Sequence, residues 1–157
     1  MSSDALHIAF DRHAGALLRL CILLTGRRQE AEDLVQDSFV RLAPKAGALD
    51  EDTTWPYLRK IAINLWKNRL RRIANEARAR RRALDPPSAT SPPEDRDQMW
   101  KAVLQLPARQ RACVVLRYYE DLTERETAAI LGCSVGTVKS QSAKALARLG
   151  EALGDAD

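Results

Sequence analysis

Four of the seven prolines in this chain of 157 residues fall between Asp85 and Pro93, in the run Asp-Pro-Pro-Ser-Ala-Thr-Ser-Pro-Pro. Proline has a fixed φ and no amide proton, and it pushes the preceding residue out of the helical region. Such a run can join neither a helix nor a sheet ladder, so it reads as a semi-extended tether. The chain is divided there, and each side must bury its own apolar residues. The boundaries read from the sequence are 1–83 for a first domain, 84–94 for a flexible Pro-rich linker and 95–157 for a second domain.

Both sides read as helical. Hydrophobic residues make up 45% of the chain, while aromatics at 5% and a low glycine content argue against an all-β protein. No stretch alternates as a strand would. The fold class expected is all-α, two small helical domains. On the first side, Ala5 to Leu24 carries Leu6, Phe10, Ala14, Leu17, Leu18 and Cys21 at helical spacing, in one helix or a broken pair. A second helix is predicted from about Gln29 to Leu42, ended by Pro44. Its apolar stripe is Ala31, Leu34, Val35, Ser38, Phe39 and Leu42, and its other face presents Glu30, Asp33, Gln36, Asp37 and Arg41. Lys45 to Thr54 reads as a loop. Thr53 or Thr54 is then expected to cap a third helix with Pro56 in its first turn. That helix is predicted to run to about Arg82, with Leu58, Ile61, Ala62 and Leu65 inward and Arg59, Asn64, Lys67, Asn68 and Arg71 outward.

After the tether, Asp95 to Leu106 reads as a short helix with Met99, Val103 and Leu106 inward. A further helix opened by Pro107 buries Ala112, Val115, Leu116 and Tyr119. The next stretch, LTERETAAILGCSVGTVKSQSAKALARL (Leu122 to Leu149), reads as two short helices around a tight turn. Thr123 and Glu126 form a capping box, and Ala128 is small where the helices must approach. Gly132 suits a left-handed helix end, and Ser134 can cap the second helix. Val135, Val138, Ala145 and Leu149 share one face, interrupted by Ser142, while Lys139, Ser140, Gln141, Lys144 and Arg148 occupy the other. Such a helix can dock its apolar side on its neighbour and lay its polar side in a DNA major groove.

The net charge of +4 is modest, but its distribution is uneven. Ten basic residues and one acid, Glu76, lie between Arg59 and Arg82, whereas Glu30 to Asp52 is mainly acidic. Two surfaces with different partners are implied, one of them for an anion. Trp55, Tyr57 and Trp66 are interleaved with Arg59, Lys60, Lys67, Arg69, Arg71 and Arg72. Basic residues can anchor phosphates, and aromatic faces can take unstacked bases. Equally, the tryptophans can be core and the arginines a solvated face. No catalytic constellation is legible: His7 and His13 are confined to the first helix, and there is neither a nucleophile elbow nor a phosphate-binding glycine loop. Cys21, Cys113 and Cys133 are scattered without ligand spacing, so neither a metal nor another cofactor is expected, and free thiols are. No apolar run is long enough to span a bilayer, and no leader pattern opens the chain, which points to a cytoplasmic protein; the missing catalytic constellation argues against an enzyme.

The stretches AEDLVQDSFVRL (Ala31 to Leu42) and WPYLRKIAINLWKNRLRR (Trp55 to Arg72) together resemble region 2 of the extracytoplasmic-function group of sigma-70-type sigma factors. LPARQRACVVLRYYEDLTERETAAILGCSVGTVKSQSAKALARL (Leu106 to Leu149) resembles region 4 of the same group. The order and the linker are those of the family, and the composition resembles its short actinobacterial members. The resemblance implies a region 2 helical bundle and a region 4 helix-turn-helix. The implied partners are promoter DNA and core RNA polymerase, through the β′ clamp helices and the β flap. Asp33, Gln36, Asp37 and Arg41 match the docking site for the clamp helices. Asn64, Lys67, Asn68 and Arg71, with Arg72 beside them, match the face toward the −10 element. Ser134, Thr137, Lys139, Ser140, Gln141, Lys144 and Arg148 fall on the side that reads the −35 element. Many relatives are held inactive by an anti-sigma protein, a further candidate partner. Three positions depart from the pattern. Ala46 to Thr54 has no aromatic residue, Thr127 replaces a usual aliphatic at little cost if its hydroxyl bonds back to the helix, and Ala143 is small on the DNA side. The alternative is an autonomous helix-turn-helix regulator, which leaves the acidic second helix and the aromatic-basic third helix without a role.

Overall fold

The computed structural model describes residues 2–79 and 98–154, with side-chain surroundings from Asp4 onward. Seven α-helices and no strand are found among the described residues. They are α1 (Ser2–Thr25), α2 (Arg28–Leu42), α3 (Glu51–Ala79), α4 (Gln98–Leu104), α5 (Ala108–Val114), α6 (Glu124–Leu131) and α7 (Val135–Gly154). The predicted tether, the third helix beyond Ala79 and the next helix before Gln98 lie outside the described residues. Two compact units result, one from residues 2–22 and 27–79 and the other from 23–26 and 98–154.

In the first unit every residue of the predicted α2 stripe is buried: Ala31, Leu34, Val35, Ser38, Phe39 and Leu42. Ser38 fits because its hydroxyl donates to the Leu34 carbonyl at 2.6 Å, so the polar group is satisfied inside its own helix. Against this stripe pack Leu17, Leu20 and Cys21 of α1 and Leu58, Ala62, Ile63 and Trp66 of α3, all buried. Phe10 and Phe39 join α1 to α2 with ring centroids 5.1 Å apart. Burial pushes the Cys21 thiol up to about 12, against a smaller opposing pull from Arg69.

Three expectations fail between α2 and α3. The stretch read as a loop is a 3-10 helix over Ala43–Ala48, with Pro44 in its first turn. The cap of α3 is Asp50, not Thr53 or Thr54. The Thr53 amide donates to Asp50 Oδ1 at 2.9 Å, and the Asp50 amide donates to Thr53 Oγ1 at 3.1 Å, a reciprocal pair built on an aspartate. The Thr53 hydroxyl and amide hold the Asp50 carboxyl below its usual range. With the helix beginning at Glu51, Pro56 lies in the helix interior rather than the first turn. Its missing amide costs one bond, to the carbonyl of exposed Asp52, where water is at hand. The inward stripe of α3 is also rotated: Ile63 and Trp66 are buried, while Ile61 and Leu65 are only half-buried.

In the second unit α5 continues as a π-helical turn over Val115–Tyr119. The Glu120 amide reaches back five residues to Val115 at 3.0 Å, and Leu122 reaches Leu116 at 3.0 Å. The Arg117 guanidinium clamps the turn by donating to the Leu122 carbonyl at 2.6 Å. The wider turn keeps Val115 and Leu116 buried and leaves Tyr119 half-buried, edge-on to Trp100 at 5.7 Å. Met99, expected inside, is 44% exposed; Val103 and Leu106 are buried as expected.

The helical hairpin follows its sequence signals. Thr123 Oγ1 accepts from the Glu126 amide at 3.0 Å, and Glu126 Oε1 accepts from the Thr123 amide at 3.1 Å. Gly132 is left-handed at φ 71°, ψ 37°, and its amide bonds the Ala128 carbonyl. Ala128, Cys113 and Val138 form one buried cluster with Leu131 and Cys133 against it. One expectation is corrected here, and one condition for a cheap substitution is not met. Val135 is 36% exposed, because the core face of α7 begins only at Val138. Thr127 is fully buried, and its hydroxyl makes no hydrogen bond to the helix or to any other group among the described residues.

Candidate nucleic-acid and protein interfaces

The burial of one α2 stripe decides what the other face offers. Asp33, Gln36, Asp37 and Arg41 all stand exposed, at spacings that keep them on one side of the helix. Val40 shares that side and is 72% exposed, a solitary aliphatic among polar neighbours that the sequence reading passed over. Its signal was its place seven residues after Asp33. One group on this face is already engaged: Asp37 Oδ2 accepts from Arg69 of α3 at 3.0 Å.

On α3, exposed Asn64, Asn68, Arg71 and Arg72 and half-buried Lys67 run along a single side, away from the core stripe. Asn75 continues the stripe four residues after Arg71, lines a shallow groove with Asn68, Arg71 and Arg72, and was also missed. Of the aromatics, Trp66 is only 3% exposed and is a core residue, so it presents no face to a base. Trp55 is half-buried and packs on the His13 ring at 5.6 Å; Tyr57 is 36% exposed. Burial and the Arg12 guanidinium lower the His13 pKa, with Glu51 opposing them. Arg12 pairs with Glu51 at 2.6 Å, fixing the start of α3 to α1.

On α7, Lys139, Ser140, Lys144 and Arg148 are exposed and Thr137 and Gln141 half-buried. At about 100° per residue, Ser140, Lys144 and Arg148 form one stripe, while Lys139 stands on the flank with exposed Val135 and Leu146. The predicted single polar face is therefore two strips divided by the curvature of the helix. Ser134 Oγ accepts from the Thr137 amide at 3.0 Å and shares a hydrogen bond with the Thr137 hydroxyl at 2.9 Å, so these two residues build the cap that orients the strips. Among the described residues no group of His, Cys, Asp and Glu is placed to hold a metal ion, and no helix is long and apolar enough to cross a membrane.

These surfaces fall within two family models: sigma-70 region 2 matches residues 9–76, which hold those of α2 and α3, and sigma-70 region 4 matches residues 96–149, which hold those of α7. The RNA polymerase sigma-E factor of Streptomyces antibioticus is 38% identical over 144 residues, covering 88% of this chain and 78% of the relative. The ECF RNA polymerase sigma factor SigM of Mycobacterium tuberculosis is 34% identical over 149 residues, covering 92% and 75%. Among solved structures, the sigma factor RpoE bound to the anti-sigma factor NepR from Bartonella quintana aligns with a TM-score of 0.70 at 28% identity, over 92% of this chain and 94% of that one. CnrH in complex with the cytosolic domain of CnrY aligns at 0.58 and 26% identity, over 99% and 96%. With both regions matched in order and relatives above 30% identity over most of their length, the chain belongs to the extracytoplasmic-function group of the sigma-70 family.

Proposed function

We propose that this protein is the promoter-selecting subunit of an RNA polymerase, working in the cytoplasm with the core enzyme. The observation that carries the reading is that both units place their polar strips wholly outside their cores. Each half thus has a surface for a partner and a fold that does not depend on it. Asp33, Gln36, Asp37 and Arg41 dock the first unit on the β′ clamp helices, whose basic groups suit the carboxylates. Asn64, Lys67, Asn68, Arg71 and Arg72 face the −10 element and help to open it. Ser134, Thr137, Lys139, Ser140, Gln141, Lys144 and Arg148 face the −35 element, with Lys139 and Lys144 addressing opposite flanks of the groove. The second unit also meets the β flap.

Each unit alone offers DNA few cations, so the free protein binds promoters weakly. Held by polymerase at a set separation, the two act together through effective concentration. An anti-sigma protein is the natural antagonist, a reading supported by the similar sigma factor RpoE, whose structure holds the anti-sigma factor NepR. The test is run-off transcription with purified core polymerase on a library of promoters. Selective initiation that depends on this protein is expected. Tight promoter binding by the free protein, with no initiation on adding core, would instead mark an autonomous regulator.

A further inference from the structure

Ten basic residues lie between Arg59 and Arg82, and one of them, Arg69, reaches across to α2. α3 buries Leu58, Ala62 and Trp66. Arg69 comes three residues after Trp66, so helical spacing carries it onto the same inward stripe. Its side chain is only 18% exposed. The guanidinium reaches α2 at two places: Nη2 donates to Asp37 Oδ2 at 3.0 Å, and Nη1 donates to the Glu30 carbonyl at 3.5 Å. The two acceptors belong to residues seven apart on α2, and the two nitrogens of one planar fork serve them separately, where a lysine ammonium is a single point. Asp37 keeps 57% of its side chain exposed, so the pairing does not bury it.

We infer that Arg69 is a positioning residue for polymerase docking, holding the Asp37 carboxylate in one orientation on the outer face of α2 instead of contacting a DNA phosphate. The inference rests on the reading that this face meets polymerase. A free aspartate loses rotamer freedom when it pairs with an incoming cation; one already held by Arg69 has lost it on folding. The half-exposed carboxylate still has room for a second donor. The same strap ties the helix that faces the −10 element to the helix that docks the enzyme.

The test uses the full chain carrying Arg69→Met, Arg69→Lys, Asp37→Asn, or Arg69→Met with Asp37→Asn. The dissociation constant for core RNA polymerase is measured by anisotropy of the end-labelled protein. Arg69→Met is expected to weaken binding about 3- to 10-fold, in the lower part of the range for one contacting pair, since Asp37 stays largely exposed. Arg69→Lys should fall between, and Arg69→Met should add nothing once Asp37 is Asn. The salt slope of promoter binding by assembled holoenzyme should stay at the wild-type value, since no phosphate contact is lost. Equal losses in both backgrounds would reduce Arg69 to a fold-holding residue and overturn the inference, as would a slope smaller by about one. Should Arg69→Met fail to fold by circular dichroism, Arg69→Lys with and without Asp37→Asn supplies the same cycle. If Asp37→Asn alone binds core polymerase like wild type, the docking reading itself fails and takes the inference with it, a result separable from the others because Arg69 is untouched.

Discussion

Thr127→Val is expected to stabilise the second unit. Thr127 is fully buried on α6, and its Oγ1 has no hydrogen-bond partner among the described residues. A hydroxyl buried without a partner costs about 1–3 kcal/mol in protein mutational series. Valine has nearly the same shape and the same β-branch, so it keeps the packing and removes the unpaired group. A gain of about 1–2 kcal/mol follows, or roughly 5–10 °C in melting temperature for a unit this small. Amide hydrogen exchange on the full chain, read at α6 and α7, isolates the effect, since about 1.4 kcal/mol multiplies protection tenfold. Thr127→Ala is the control: it removes the hydroxyl but also a buried methyl worth roughly 0.5–1.5 kcal/mol, so it should come out near neutral. Unchanged or reduced protection in Thr127→Val would refute the argument, because it would mean that the hydroxyl is bonded in solution. Promoter selection should not change, since the residue reaches no surface.

Gly132→Ala should cost about 1–2 kcal/mol, because φ of 71° is strained for a residue with a Cβ, and Gly132→Asn should cost less; equal losses measured in urea would count against the backbone explanation. Thiol labelling of the native protein at pH 8 should find Cys133 first. Burial pushes Cys21 up to about 12 and Cys113 up to about 11, and both are shielded, whereas all three should react in denaturant. Rapid native labelling of Cys21, read by mass spectrometry, would contradict its burial. Asp50 has a folded pKa lowered by Thr53, so its contribution is present above the ordinary aspartate range and disappears as pH falls through the folded value. Asp50→Asn should therefore melt below wild type at neutral pH and converge with it in acid. Parallel melting curves at all pH values would exclude the charge as the cause.

The local, short-range features of this chain were legible before any coordinates. The capping box at Thr123 and Glu126, the left-handed Gly132, the Ser134 cap and the complete α2 stripe each depend on residues of one short stretch. Spacing alone therefore carries them, and it also assigned the exposed side of α2 and, through the pattern of both blocks, the family. The start of α3 was misread because Asp50, Thr53 and Thr54 are all competent caps, and the choice among them turns on where the preceding 3-10 helix delivers the chain. Periodicity could not tell Trp66 from Leu65 as the inward residue, since two neighbours 100° apart fit one pattern equally until a second helix supplies a surface to pack on. The same limit hid Arg69 among nine other cations. Its sequence neighbours are ordinary helix-surface residues; only the approach of α2, carrying Asp37 and the Glu30 carbonyl, turns a surface charge into a strap. The amino-acid order determined the helices, the caps of the helical hairpin and the kind of partner each side can meet. The packing of helices distant in sequence decided which side chains remain free to meet it, because burial is a property of two surfaces and each stretch of chain specifies only one.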